Sequence, residues 1–215
     1  MTPGAESPSP PAPAVVVAGK ADRMAVAGSL AEAFFDDPVM SWILQDEASR
    51  RRRLRGLFGV LLRGHYLPLG TAWTTSDVAG AALWAPPGRA IIPPLTVLRH
   101  APPLVGALGR RAVAALRALS HVERHHPKEP HWYLGVLGTR PELQGHGIGS
   151  ALLGPVLERC DQQGTPAYLE SSKHSNIAFY GRHGFEVTGE IQLPLGGPVV
   201  WPMWREARPP DVGRA

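Results

Sequence analysis

The chain has 215 residues, 44% of them hydrophobic and 19% charged, and this length and balance predict one globular domain. The net charge of +4 is too small to indicate a nucleic-acid binder by itself. A single cysteine, Cys160, excludes an intrachain disulfide framework. No apolar run approaches the roughly 18 residues of a membrane helix, and the N-terminus lacks the basic region of a signal peptide. We therefore expect a cytoplasmic protein without a membrane segment.

The first part of the chain predicts a tail, a strand and a helix. Residues 1–13 are rich in Pro and Ser and predict a disordered tail, because they have little apolar surface to bury. A short strand is expected at Val15–Val17. Apolar residues recur at helical spacing after Asp22, a suitable N-cap. This helix should end before Pro38, since a proline disfavours helical geometry in the residue before it.

A second long helix and a strand hairpin follow. We predict a short apolar piece at 39–44, a helix at 48–66 and two paired strands at 70–76 and 79–85. Arginines crowd the start of the long helix, at positions 50–53 and 55. They fit either a phosphate or nucleic-acid contact or a solvated helix face, and we favour the solvated face.

Residues 91–125 predict a helical insert. Paired prolines separate two helical segments, at 95–100 and 104–123. His121, His125 and His126 lie at the end of the second segment. No cysteine or carboxylate completes a metal-ligand set with familiar spacing, so we favour a surface cluster or part of an acceptor pocket over a metal site.

The second half of the chain alternates strands and helices. We predict a strand at 131–139, a helix running to Cys160, a strand at 166–172, a short helix at 176–183 ended by Gly184, strands at 185–193 and 199–205 around a turn at 194–198, and a flexible tail at 208–215. Cys160 should lie in the core and Pro155 should kink its helix. Tyr168 and Glu170 share one face of their strand. This order predicts one mixed α/β sheet.

A glycine loop, Gln-Gly-His-Gly-Ile-Gly-Ser at 144–150, joins the 131–139 strand to the following helix. Such a loop binds an anion through backbone N–H groups, because the first turn of a helix has unsatisfied donors and a favourable dipole. The spacing matches neither a P-loop nor a dinucleotide-binding fingerprint. A glycine-rich turn without a ligand is the alternative.

Several ordered motifs in the second half together resemble one family. They are Gln144-x-x-Gly147-x-Gly149, a strand ending Leu-Glu-Ser-Ser at 169–172, and Asn176-x-x-Phe179-Tyr180-x-x-x-Gly184-Phe185. This pattern, over about 131–190, resembles the GNAT acetyltransferase superfamily. Residues 127–132 and 166–172 further resemble puromycin N-acetyltransferase and its relatives.

The resemblance implies a fold and a set of binding residues. The fold would be a single-domain, mostly antiparallel mixed sheet, with helices on both faces and a central parallel strand pair splayed to bind acetyl-CoA. Its domain would span residues 14–207. The residues expected to contact acetyl-CoA are Leu137, Gly138, Thr139, Gln144, Gly145, His146, Gly147, Ile148, Gly149, Ser150, Asn176 and Tyr180.

The same resemblance assigns Tyr180 as the group that protonates the leaving thiolate. A phenol, with a pKa of about 10, is mostly protonated at neutral pH; a core aromatic is the alternative reading of this residue. Glu170 is the best candidate for the general base, acting through water, and a structural carboxylate is an equal alternative. His131 and Glu142 are weaker candidates. A missing strong base favours an α-amine acceptor, whose pKa lies near 7.7–8.0.

We therefore expect an acetyl-CoA-dependent N-acetyltransferase that acts on a primary amine of a small molecule by direct attack in a ternary complex. The insert should help to enclose the acceptor. The alternatives are acetylation of a protein N-terminus or lysine, and a non-catalytic CoA-binding module. We expect no metal, nucleic acid or membrane partner. The 199–205 strand, if it forms a sheet edge, would offer a surface for a homodimer.

Overall fold

A computed structural model describes residues 14–208 of the chain. The strands are β1 Val15–Val17, β2 Ala72–Thr75, β3 Gly80–Ala85, β4 Trp132–Thr139, β5 Ala167–Ser171, β6 Glu186–Val187, β7 Ile191–Gln192 and β8 Val199–Arg205. The α-helices are α1 Arg23–Ala33, α2 Pro38–Ile43, α3 Glu47–Leu61, α4 Leu67–Leu69, α5 Pro94–Arg99, α6 Ala101–Leu108, α7 Ala112–His125, α8 Ile148–Gln163 and α9 Ile177–Arg182. The predicted tails lie outside the described residues, apart from Arg208.

The strands form one mixed sheet in the order β1-β2-β3-β4-β5-β8-β6, with β7 also paired to β8. Within the described residues β4 and β5 are the parallel pair, and the other neighbours are antiparallel. This arrangement confirms the predicted fold. The β2–β3 hairpin is also confirmed.

Each face of the sheet is covered by helices. One core, under α1 and α3, contains Leu30 and Phe58. The other, under α8, contains Leu152, Val156 and Cys160. Every residue of β3 is buried, as expected for a central strand between two layers. Alternate residues of β4 are fully buried, so one face of that strand is less covered than the other. The prediction that helices pack on both faces is therefore confirmed, and so is the core position of Cys160.

Asp37 begins α2 rather than ending α1. Its Oδ1 accepts hydrogen bonds from the Val39 and Met40 N–H groups, each at 3.0 Å, which is the geometry of an N-cap. Asp22 does not cap α1 through its side chain; its Oδ2 instead accepts a bond from Gly19 N–H at 2.8 Å. Asp22 therefore occupies the predicted N-cap position of α1, but its side chain does not bond the first turn of the helix.

The helix predicted at 48–66 is present as α3, which is followed directly by a π-helical turn at Leu62–Tyr66. The segment predicted as one helix at 104–123 is instead two, α6 and α7, joined by a 3-10 turn. The break lies at Gly109, which has a φ of 57° and closely contacts the Arg53 guanidinium. Only glycine adopts this conformation readily, and a Cβ would overlap the arginine.

The strand predicted at 185–193 is divided into β6 and β7, and both pair with β8. Because β5 covers the other side of β8, the last strand is internal rather than an edge. The expectation that β8 forms a sheet edge is therefore wrong, and the homodimer itself stays a prediction. In α8 the helix continues past Pro155 to Gln163. None of the helices between residues 14 and 208 is long and apolar enough to cross a membrane.

Candidate active site

The parallel strands β4 and β5 separate after a short paired stretch. Residues 132–134 pair with residues 167–169, and the pairing recorded for these two strands ends there. At this point β4 has a bulge. Leu83 and Trp84 of β3 oppose Val136 and Leu134, so Gly135 is the extra residue. The bulge therefore lies where the two strands separate, and we call the gap between them the β4–β5 splay. In this splay the backbone of the second half of β4 is not paired with β5.

A cavity of about 560 Å³ occupies this splay. Its walls are the second half of β4, the loop before α8, the end of β5 and the first turns of α9. Ala33, Phe34 and Asp37 close it from the α1–α2 side. None of the described residues of the 91–125 insert is among its lining residues. The expectation that the insert helps to enclose the acceptor stays a prediction.

The glycine loop forms the N-terminus of α8. Gly145 and Gly147 have φ values of 81° and 78°, which residues with a Cβ rarely adopt. The helical ladder starts at Ala151, whose N–H donates to the Gly147 carbonyl at 3.0 Å. The N–H groups of residues 148–150 precede that ladder and remain available as donors. The loop therefore presents several N–H groups and the positive end of a helix dipole at the cavity.

Most of the residues expected to contact acetyl-CoA line this cavity. Those that do are Leu137, Gly138, Thr139, Gln144, Gly145, Gly147, Ile148, Gly149, Ser150, Asn176 and Tyr180. His146 does not, because its ring bends back to the carbonyls of Leu143 and Gln144. Gly149 packs tightly, since a Cβ there would lie 3.1 Å from the Phe179 ring.

Tyr180 reaches the cavity from α9 and is buried. Burial raises the pKa of its phenol, and the negative charge of Asp37 adds to this effect. The phenol is therefore held in its protonated form, which can donate to a developing anion. Asp37 itself is buried, and its Oδ2 accepts a hydrogen bond from the Ser172 hydroxyl. Burial raises the pKa of Asp37, although that hydrogen bond lowers it in part.

Glu170 also lines the cavity, and its side chain is 8% exposed. Its Oε2 accepts a hydrogen bond from the Tyr133 hydroxyl at 2.9 Å. Its Oε1 makes no hydrogen bond within residues 14–208 and faces His126 Nδ1 at 3.6 Å. Glu142, by contrast, is exposed, pairs with Arg140 at 3.0 Å and lies outside the cavity lining.

Three tyrosines, of which two are buried and Tyr133 is partly buried, lie around the Glu170 carboxylate. The phenols of Tyr66, Tyr133 and Tyr168 have raised pKa values, first because of burial and then because of the negative charge of Glu170. All three phenols are therefore neutral at physiological pH. One of them, Tyr133, donates a hydrogen bond to Glu170, but none of them offsets the negative charge of the carboxylate.

The arginine cluster at 50–55 is not one solvated face. Arg50 is buried and donates to the carbonyls of Leu44, Gln45 and Phe35, so the solvated-face prediction is wrong for this residue. Exposed Arg51 pairs with Glu32 at 2.7 Å. Arg52 and Arg55 are exposed, as predicted.

The insert histidines divide into two groups. His125 is exposed and its Nδ1 bonds the His121 carbonyl at 2.8 Å, whereas His126 turns inward to Glu170. Across residues 14–208, no set of three or more His, Cys, Asp or Glu side chains is placed to hold a metal ion.

Sequence reasoning missed Asp37 and Ser172 as parts of this site. The Asp-Asp-Pro stretch at 36–38 indicated only a helix end, and nothing in it indicated a hydrogen bond to a residue 135 positions away. The sequence shows His126 as part of a histidine cluster, but no motif in it indicates the contact of His126 with Glu170.

Comparison with known proteins agrees with this geometry. The family described as Acetyltransferase (GNAT) family matches residues 96–185. An uncharacterized N-acetyltransferase of Schizosaccharomyces pombe is 30% identical over 183 residues, covering 80% of this chain and 74% of that protein. The structure of histone acetyltransferase HPA2 and related acetyltransferase from Corynebacterium glutamicum shares 30% identity with a TM-score of 0.69, over 94% of this chain and 99% of that one.

A more distant structure shares the fold alone. The polyamine N-acetyltransferase of Drosophila melanogaster is 14% identical, with a TM-score of 0.62, over 90% of this chain and 99% of its own. This chain, with its splayed parallel pair and a helix that begins at a glycine loop in the splay, shares its fold with these acetyltransferase structures. With the extended match to the Schizosaccharomyces pombe protein, this chain belongs to the GNAT family of N-acetyltransferases.

Proposed function

We propose that the protein transfers the acetyl group of acetyl-CoA to a primary amine of a small molecule, by direct attack in a ternary complex. The observation that carries this proposal is the cavity in the β4–β5 splay, because the Glu170 carboxylate and the Tyr180 phenol line the same space as the glycine loop.

The residues present fit acetyl-CoA. The open backbone edge of β4 would pair with the extended pantetheine arm as an added strand does. The N–H groups at the start of α8 would bind the pyrophosphate. Gly145 and Gly147 have no side chain to fill that space, and their positive φ values favour glycine there. Asn176 would contact the arm from the start of α9. When bound, acetyl-CoA supplies the thioester carbonyl that the amine attacks.

The chain's own groups would move two protons. An ammonium must lose a proton before it can attack, and Glu170 would accept that proton through a water molecule. Tyr180 would donate to the developing thiolate, and its raised pKa ensures that the proton is present. No acyl-enzyme is needed: burial raises the pKa of Cys160 to about 12, so its thiol is inert.

Small-amine chemistry is supported by two lines of reasoning. Structures with the same fold include the polyamine N-acetyltransferase named above, described as forming N-acetylagmatine. The sequence resemblance to puromycin N-acetyltransferase favours an aminoacyl-type amine. The Corynebacterium glutamicum relative, described as histone acetyltransferase HPA2 and related acetyltransferase, supports the alternative of a protein lysine or N-terminus.

A thiol-release assay tests this proposal. Purified protein is given acetyl-CoA and agmatine, polyamines, puromycin or histone peptides in separate reactions. We expect release with at least one small amine, and a fall in kcat of about 10²-fold in Tyr180→Phe and Glu170→Gln, as for loss of a general acid or base. Glu142→Gln, an exposed glutamate outside the cavity, is the matched control and should keep the wild-type rate.

The outcomes separate the alternatives. Release with histone peptides alone would replace the small-molecule acceptor with a protein. Binding of acetyl-CoA without release for any amine would favour a CoA-binding module. Full activity in Glu170→Gln would remove Glu170 as the base.

A further inference from the structure

The insert delivers one side chain to the active-site carboxylate. His126 follows α7 directly, and its ring stands edge-on to Tyr133 and Tyr168, each with centroids 4.9 Å away. Its Nδ1 faces the otherwise unbonded Oε1 of Glu170 at 3.6 Å, and its side chain is 12% exposed. This distance suits an ion pair and exceeds a hydrogen bond, but catalytic hydrogen bonds are often long before substrate binds.

A second histidine fixes which nitrogen of His126 carries its proton. His131 Nδ1 lies 2.6 Å from the Glu129 carbonyl, which can only accept, so this nitrogen is the donor. Burial lowers the pKa of His131, and this favours the neutral ring. The Nε2 of neutral His131 is then an acceptor, and it lies 2.9 Å from His126 Nε2. His126 must therefore donate from Nε2, which leaves its Nδ1 lone pair towards Glu170 when the ring is neutral.

We propose that His126 relays the proton taken up by Glu170, and that His131 holds His126 in the tautomer that can accept it. This inference rests on the proposed function of Glu170 as the base. His126 is a positioning residue, because it acts through Glu170 and does not line the cavity.

The proton balance of the step is complete. The substrate ammonium N–H bond breaks, and its proton passes through water to Glu170. The Glu170 O–H bond then breaks and an N–H bond forms at His126 Nδ1, so the carboxylate is restored beside an imidazolium. The side chain of His126 is 12% exposed, and solvent water accepts the Nδ1 proton, which restores the neutral ring with its proton on Nε2. No oxidant, reductant or further reactant is required.

Four ionisable side chains face the ring of His126 within the described residues. The titratable groups that face it are Glu170 and Tyr168 on β5, Tyr133 on β4 and His131 just before β4. The phenols are neutral, so Glu170 supplies the negative charge and His131 offers a lone pair. An imidazolium at His126 already carries a proton on Nδ1, so the relay requires the neutral ring.

The test compares His126→Gln with His125→Gln. Glutamine can hydrogen-bond but does not titrate. His125 is the adjacent, exposed histidine, whose ring bonds only the His121 carbonyl within the described residues and serves as the control. We expect kcat to fall about tenfold in His126→Gln, with the acidic limb of its pH profile displaced by at least one unit and KM for acetyl-CoA unchanged. His125→Gln should match the wild type throughout.

A second readout does not depend on activity. Nitrogen-15 NMR of the histidine rings at pH 8 should show the Nδ1–H tautomer for His131 and the Nε2–H tautomer for His126. Finding the opposite tautomer at His126, or an unchanged pH profile in His126→Gln, would overturn the relay. If the wild type turns over no amine at all, the proposed function has failed, and the NMR tautomers still decide whether the acceptor nitrogen faces Glu170.

Discussion

At the scale of a single residue, Gly135 lies where β4 leaves β5. A Cβ at this position would overlap the Tyr66 hydroxyl, which packs directly against the glycine. We predict that Gly135→Ala lowers the free energy of unfolding by about 1–3 kcal/mol, as overpacking of a core does. Urea denaturation measures this change.

A double variant tests whether the Tyr66 hydroxyl is the cause. Adding Tyr66→Phe to Gly135→Ala removes the overlapping atom and should recover most of the lost stability, which would appear as a favourable coupling energy. Gly28→Ala is the control, because Gly28 lies inside α1 with no atom within 4 Å of an added Cβ. Equal loss in the single and double variants would mean that backbone strain, rather than this contact, is responsible.

Residues of the motif could be predicted and their partners could not. Tyr180 and Glu170 line one cavity, and an ordered motif indicated where they lie on their helix and strand. Their catalytic roles stay predictions. The hydrogen bond of Asp37 to Ser172 and the contact of His126 with Glu170 join segments far apart in the chain. No local pattern encodes such contacts, since they depend on how the helices pack on the sheet.

At the scale of one element, the start of α8 depends on glycines with a positive φ. We predict that Gly147→Ala weakens acetyl-CoA binding about tenfold, because alanine in the left-handed region costs roughly 1–2 kcal/mol and displaces the N–H groups. Calorimetric titration with CoA measures the dissociation constant. Gly154→Ala, within the same helix and without close neighbours, is the matched control and should bind CoA like the wild type. Unchanged binding in Gly147→Ala would mean that the loop does not hold the pyrophosphate.

Helices and strands with a regular spacing of apolar residues could be predicted from the sequence, whereas the breaks within them were harder to predict. The β4 and β8 strands and the α8 helix match their predicted spans closely, because apolar spacing and flanking turn residues define them. The break at Gly109 was missed because the apolar spacing continues across it, and only the contact with Arg53 explains it. The internal position of β8 was missed because pairing order follows from the turn at 194–198, which folds β7 back onto it.

At the scale of the whole molecule, Arg205 joins three elements. Its guanidinium is buried, donates to both carboxylate oxygens of Asp161 on α8 at 2.8 Å, and donates to the His183 carbonyl after α9 at 2.9 Å. The hydrogen bonds from Arg205 lower the pKa of Asp161. A depressed folded-state pKa adds stability above the ordinary pKa of an aspartate, about 3.9, and that contribution is lost as the pH falls through the folded value.

We therefore predict that Asp161→Asn lowers the free energy of unfolding by about 2 kcal/mol at pH 7, since a buried guanidinium loses its counter-charge. This loss of stability is smaller than for a fully buried ion pair, because the side chain of Asp161 is 27% exposed. The difference in free energy of unfolding between the variant and the wild type should narrow as the pH falls below about 3.9, because the unfolded wild type then takes up a proton that folded Asp161, with its lowered pKa, does not. Urea denaturation at pH 7 and pH 3 measures both values, with Glu158→Gln on the exposed face of α8 as the control. A gap that stays constant with pH would show that the aspartate acts through shape rather than charge.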